Sequence, residues 1–269
     1  MKPIKISLGP DVTQVEIVPF YDLHIGSPHC KWNQVKARVD YVKNTPNAYA
    51  VLGGDLINNS TRDSVGDCYS EPLTPQQQID KSIELFRPIK DKILGVTTGN
   101  HERRTLKKHG VDVTQCMCSA LGIVDRYDPV AGLIFLQFGK RTTCCDETTE
   151  QRNNNIGAPI QYTIYFTHGD GNGGRTLGGK VNGLERRTNI IDADIIMCGH
   201  THQAFITYES RFRINHRACT VKQVDTMLVN MDATIGYEGY AETVGMKPSA
   251  RKNPRIILNG TKHSMIGVI

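Results

Sequence analysis

DIIMCGHTH, residues 194–202, runs from a short apolar segment into a polar turn that carries two histidines. Asp194-Ile195-Ile196-Met197-Cys198 has the length and composition of a buried strand, and Gly199 marks its end. Two imidazoles one residue apart, His200 and His202, repel each other when both are protonated, and a tight turn packs neither well. Neutral imidazole is a common metal ligand. A metal therefore explains the pair, provided other parts of the chain supply more ligands.

The same pattern recurs outward from this stretch. VEIVPFY (15–21) leads into Asp22-Leu23-His24, and YAVLG (49–53) into Gly54-Asp55-Leu56-Ile57-Asn58-Asn59. ILGVT (93–97) leads into Thr98-Gly99-Asn100-His101-Glu102-Arg103-Arg104, and YTIYFT (162–167) into His168-Gly169-Asp170. Helical patterns lie between the early strands. One runs from Trp32 to Val42, with Val35 and Val39 on the same face. A second, 74–93, enters at Thr74-Pro75, repeats Ile79, Ile83, Phe86 and Ile89, and is ended or kinked by Pro88. A third, 112–122, has Asp112 at its N-cap and Gly122 beyond its end.

The second half is richer in strands. LIFLQF (133–138) and YTIYFT flank a polar insert, 139–159, that reads as a mobile hairpin loop. AFITY (204–208) and RFRINH (211–216), joined by Glu209-Ser210, read as a hairpin; TMLVN (226–230) and RIILN (255–259) follow. Strands alternating with helices indicate an α/β fold, here two packed sheets with helices outside. Ligands of open α/β sheets bind at the carboxyl ends of strands. Five such ends side by side would gather Asp22, His24, Asp55, Asn100, His101, His168, His200 and His202 into one cleft.

Composition sets limits. The 269 residues suit one domain, 1–269, and no linker-like stretch divides them. A net charge of +5 permits an anionic substrate without demonstrating nucleic-acid binding. Eight cysteines with no CxxC are too sparse for a disulfide framework; Cys144-Cys145, in the polar insert, is a weak redox signal. The N-terminal MKPIKISLGPDV has no apolar signal core and no run approaches transmembrane length, so a cytoplasmic protein without membrane contact is expected.

The donors mix oxygen and nitrogen, which suits Mn, Fe, Zn, Co or Ni better than Ca. Seven ligand side chains exceed one tetrahedral site. They suit two metals about 4 Å apart that share a carboxylate, an arrangement used in phosphoryl hydrolysis. DLH (22–24), GDLINN (54–59), GNHE (99–102), His168 and GHTH (199–202) together resemble the five ordered motifs of the calcineurin-like metallophosphoesterase superfamily. One motif alone is weak, but the ordered set is specific. It says little about the residues after 202.

The resemblance implies an αββα sandwich of two mixed β-sheets flanked by helices. It implies two divalent metal ions, Mn first and Fe, Zn, Ni or Co as alternatives. Asp22, His24, Asp55 and His202 would hold one; Asp55, Asn100, His168 and His200 the other, with Asp55 bridging. His101 would be the general acid or transition-state stabiliser beside a hydroxide held by the metals, so His101 and Asp55 carry the chemistry. Glu102 is expected to orient His101 or a nearby base. Asn58, Asn59 and Arg103 are assigned to the substrate, and Arg104 is an alternative phosphate contact.

The phosphoprotein phosphatase branch carries Asp-Arg-Gly where this chain has Asn58-Asn59-Ser60, and the repair-nuclease branch usually carries GNHD where this chain has Glu102. The remaining expectation is a stand-alone phosphodiesterase, nuclease-like or acting on a nucleotide or other small diester. The alternatives are a phosphomonoesterase or phosphoprotein phosphatase, and a catalytically dead binding or scaffold protein. Each residue alone also has an ordinary explanation. Asp22 and Asp55 could cap helices, Asn100 could sit in a turn, and His168 could merely open the glycine-rich loop.

Overall fold

The computed structural model describes residues 1–62, 64, 67–139, 159–170, 174, 176–238, 242, 245, 248 and 252–269. Two mixed sheets face each other. The six-stranded sheet runs, in spatial order, β1 (Lys2–Ser7), β5 (Ala131–Gln137), β6 (Gln161–Thr167), β7 (Ile195–Cys198), β9 (Thr220–Asn230) and β8 (Phe205–Asn215). The five-stranded sheet runs β11 (Met265–Val268), β10 (Arg255–Asn259), β2 (Gln14–Phe20), β3 (Ala48–Leu52) and β4 (Ile93–Val96).

Three apolar layers follow from the two-residue period of the strands. Ile17 of β2 and Val51 of β3 point between the sheets, where they meet Ile134, Phe166, Met197 and Val229. Their neighbours Val18, Phe20, Ala50 and Leu52 point the other way, onto α1 (Trp32–Asn44), α2 (Pro75–Phe86) and α4 (Val113–Leu121). The far face of the six-stranded sheet packs Tyr165, Ile196 and Leu228 against Leu184 of α5 (Leu177–Glu185). The expected αββα sandwich is therefore present. No helix among the described residues is long and apolar enough to cross a membrane.

Capping agrees with the sequence signals. Thr74 and Gln77 form a reciprocal capping box at α2, Asp112 accepts from the Gln115 amide, and Gly122 is left-handed at φ 75°. α2 stops at Phe86, and Pro88 falls in a 3₁₀ turn over Arg87–Lys92. The buried face of α2 differs from the expected stripe. It carries Gln78, Ser82, Leu85 and Phe86, whereas Ile79 and Ile83 are only half-buried. The helix is rotated because Gln78 accepts from the Asn59 amide and donates to Glu71 and Leu73.

Other expectations are corrected. Glu209-Ser210 is no turn: AFITY and RFRINH form one continuous strand, β8, whose antiparallel partner is all of β9. The turn lies after Asn215, whose side chain accepts from the Arg217 and Ala218 amides, and Cys219 is left-handed at φ 49°. Glu-Ser lacks that turn chemistry. The short strands β1 and β11 had no reading from the sequence. β5 and β6 pair antiparallel across the polar insert, from Ala131↔Thr167 to Gln137↔Gln161. Most of that insert, with Cys144-Cys145, lies outside the described residues.

The ring of Phe166 packs against two glycines, one on the opposite sheet and one on the neighbouring strand of its own. A Cβ at Gly95 of β4 would lie 2.5 Å from that ring, and one at Gly132 of β5 only 2.2 Å away. Phe166→Ala is expected to cost about 3–5 kcal/mol by denaturant unfolding, because both glycine faces lose their filler. A loss below about 1 kcal/mol would mean that the sheets collapse into the space.

Candidate metal centre

The five motif segments leave β2, β3, β4, β6 and β7 at their carboxyl ends. β2, β3 and β4 are parallel, as are β6 and β7, so these ends share one side of the sandwich. The turns are strained. Asp22 (φ 49°), His24 (48°), Asp55 (49°), His200 (66°) and His202 (50°) all adopt left-handed backbone, which costs about 1–3 kcal/mol each for such residues. Hydrogen bonds between the loops offset it: the Asp22 amide donates to Gly54 O (3.1 Å) and the His24 amide to Asp55 O (3.0 Å). Gly54 and Gly99 allow this approach. A Cβ at Gly54 would lie 2.3 Å from the Gly99 nitrogen, and one at Gly99 only 2.1 Å from Asp55 Oδ1.

Side chains from these turns meet in two adjoining groups. In one, Asp22, His24 and His202 present ligand atoms within 4.8 Å of one another; in the other, Asp55, His168 and His200 do. His24 Nε2 lies 3.4 Å from His202 Nε2, and His202 Nε2 lies 3.2 Å from Asp22 Oδ1. Across the cluster, His168 Nε2 is 3.3 Å from Asp55 Oδ2 and 3.3 Å from His200 Nδ1. Asn100 Oδ1 joins the second group, 3.0 Å from His168 Nε2 and 2.8 Å from His200 Nδ1. Asp55 also belongs to a cluster with His24 and His101, which places it between the two groups.

The donor set fits divalent cations. Asp22 Oδ1 is fully buried, with no well-aligned hydrogen bond and the His202 ring 3.2 Å away. Such an oxygen calls for a cation. Two imidazoles are oriented from behind: His168 Nδ1–H donates to Gly53 O (3.0 Å) and His24 Nδ1–H to Asn58 Oδ1 (3.1 Å), turning each Nε2 toward the cluster. Burial, followed by the neighbouring His101, holds His24 down to about 3, so it is neutral. Burial also opposes charge on His168, but Asp55, Asp22 and Glu102 outweigh it and lift that imidazole to about 10. His202 is raised in the same way by Asp22 and Asp55 against its burial. Asp22 and Asp55 are the negative charges that a cation held here would neutralise.

Glu102 is placed differently from expectation. Its buried carboxylate does not orient His101. It receives four backbone N–H groups: Gly99 and Asp55 on Oε2, both at 3.0 Å, and Leu56 and Ile57 on Oε1, at 2.7 and 3.1 Å. It thus ties the Asp55 turn to the start of α3 (Asn100–His109). Burial and the nearby Asp55 charge push it up to about 7 against those donors.

The residues assigned to substrate make contacts within the protein. Asn58 is engaged by His24, Ser60 and Glu71. Asn59 is buried and donates to His101 O and Thr105 Oγ1, anchoring α3. Arg103 turns away to Pro129 O, whereas Arg104 donates to Asn58 O and to His101 Nε2 at 2.9 Å. His101 is half-buried at the edge of the cluster, with its Nε2 3.7 Å from Asp55 Oδ2. Asn230, at the end of β9, had no reading from the sequence. Its amide donates to Thr201 Oγ1 and Gln203 O, and so fixes the GHTH turn. A sixth polar strand end, Asn230 to Asp232, was the available signal.

The sequence model described as calcineurin-like phosphoesterase matches residues 22–204. No curated protein matches the chain. Solved structures align over nearly the whole length at low identity. Vacuolar Protein Sorting 29 from Cryptosporidium parvum is 12% identical, covers 96% of this chain and 98% of its own, and gives a TM-score of 0.43. A single mutant of Vps29 from Entamoeba histolytica is 11% identical, with 95% and 100% covered and a TM-score of 0.42. A conserved uncharacterized protein from Streptococcus pneumoniae TIGR4 is 12% identical, with 96% and 99% covered and a TM-score of 0.35. At these scores the structures add no argument to the family match.

Two outcomes test the centre. Glu102→Gln places an amide N–H against backbone donors, so metal affinity should fall about 10–100-fold, as for other residues that support ligands from behind. Equilibrium dialysis with metal analysis would read it, and unchanged affinity would remove Glu102 from that role. Metal binding should also release a proton, since neighbouring carboxylates lift His168 to about 10 and it must be neutral to ligate. Affinity then rises with pH. Calorimetry in buffers of different ionisation enthalpy measures the release, and heats that do not change with buffer would contradict it.

Proposed function

Because the chain belongs to the calcineurin-like phosphoesterase family, we propose that it is a two-metal phosphodiesterase acting on a nucleic acid, a nucleotide or another small diester. The observation that carries this reading is the adjacency of the two acid–imidazole groups, with Asp55 between them and His101 beside it. Two divalent ions held there, Mn before Fe, Zn, Ni or Co, would supply Lewis-acid polarisation of the phosphoryl oxygens and an acidified water.

The chain's own groups do the rest. His101 Nδ1–H is held by Asn58 O at 2.5 Å, which leaves Nε2 for proton transfer to the leaving oxygen. Burial holds the ring below the usual imidazole range; Asp55 favours its protonated form and Arg104 opposes it. A phosphoryl oxygen that drew the Arg104 guanidinium to itself would free Nε2 to carry that proton. Asn58 and Asn59 stand where the phosphatase branch carries Asp-Arg-Gly. Both are committed to holding His24 and α3, which favours a diester over a phosphopeptide. A cytoplasmic location is part of the same reading and accords with free thiols at Cys30, Cys118 and Cys198.

The test compares a chromogenic phosphodiester with the matching monoester in Mn²⁺. Diester turnover is expected to exceed monoester turnover. Asp55→Asn should abolish metal binding and turnover together. His101→Ala should retain metal and lose about 10²–10⁴-fold in rate, the usual worth of a general acid. Monoester preference would move the assignment to a phosphomonoesterase or protein phosphatase. Absence of bound metal would leave a binding or scaffold role.

A further inference from the structure

β8 is the outer strand of its sheet, and no described strand pairs with its free edge. It is long, Phe205–Asn215, and among the described residues its distal half pairs only with β9. Long exposed edges invite pairing with another chain. Alternation assigns its faces. Ile206 packs into the core between the sheets, so Tyr208, Ser210, Phe212 and Ile214 share that inner side, while Thr207, Glu209, Arg211 and Arg213 lie on the outer side. Beyond the reach of the opposite sheet the inner side is bare. Phe212 is 74% exposed, Ile214 61%, Tyr208 50%, and Val221, opposite Ile214 on β9, 64%.

The sequence of β8 is chemically palindromic about Ser210. An antiparallel copy centred there would set Ile206 opposite Ile214, Tyr208 opposite Phe212, and Glu209 opposite Arg211, each pair occurring twice. An isologous two-fold contact requires this pattern: residue i meets j, and j meets i. Opposed residues fall on the same face, so the aromatic pairs would stack on the inner side and the ion pairs on the outer. Glu209 Oε2 is buried and has no hydrogen-bond partner among the described residues. Arg211 is engaged on one side by Asp192 and Thr226, and its guanidinium has further N–H groups to offer.

We propose that two copies of this chain associate through β8 in antiparallel register about Ser210, joining their six-stranded sheets into one continuous sheet. The contact covers Tyr208, Phe212 and Ile214 and supplies Glu209 with the Arg211 of the second copy. It uses none of the metal-centre residues.

The test is light scattering of the full chain after gel filtration across the micromolar range. A dimer is expected. Glu209→Arg should weaken association by about tenfold or more, since two attractive pairs become repulsive. Glu209→Arg combined with Arg211→Glu should restore the dimer. In a Cys219→Ser background, Ser210→Cys should cross-link to itself on oxidation, because that position alone faces its own copy, whereas Arg213→Cys should not. Circular dichroism checks that each variant is folded. A monomer throughout the range overturns the proposal, as does a dimer indifferent to Glu209→Arg. A double variant that fails to recover overturns the register.

Discussion

The metal centre depends on one buried carboxylate. Glu102 gathers the amides of Gly99, Asp55, Leu56 and Ile57. Those groups sit at a turn after β3 and at the start of α3, where no helix or sheet carbonyl is in place to take them. Buried N–H groups without partners cost about 1–3 kcal/mol each. A single side chain thus satisfies two loops, and their spacing follows from the width of one carboxylate. The position of Asp55, and through Asp55 Oδ1 that of the His101 amide at 2.8 Å, follows in turn.

The clustered charges are the second constraint. Two buried aspartates and five imidazoles share a small volume, and the imidazoles divide into one held near 3, His24, and one lifted to about 10, His168. Such opposed displacements arise because burial, followed by the neighbouring His101, dominates at His24, whereas carboxylates outweigh burial at His168. A core of this kind is poor material for stability alone. The left-handed turns at Asp22, His24, Asp55, His200 and His202 add strain in the same place. Strain and unbalanced charge concentrated at one point indicate a site shaped for ligands rather than for packing.

The sandwich explains how distant segments reach that site. β1 joins the sheet otherwise built from the second half, and β10 and β11 join the sheet built from the first half. The halves therefore cannot be separated into independent layers. Phe166, clasped by Gly95 and Gly132, keeps the two sheets close where His168 and Asn100 must meet.

The sequence by itself determined the five polar motifs, the strands that end in them and the packing of two sheets with helices outside. Those features are local: apolar period, glycine punctuation and side-chain chemistry are written within a few residues of one another. It could not distinguish Arg103 from Arg104, because adjacent helix positions differ by about 100° and only packing sets the rotation of α3. The same held for α2, whose Gln78 displaced the apolar stripe, and for Glu102, whose partners come from a loop some 45 residues earlier. Glu209-Ser210 looked like a break between two short strands until pairing with β9 made it the middle of one. Rotation about a helix axis, strand partners and the assignment of buried donors to acceptors are long-range choices, and only the tertiary structure decided them.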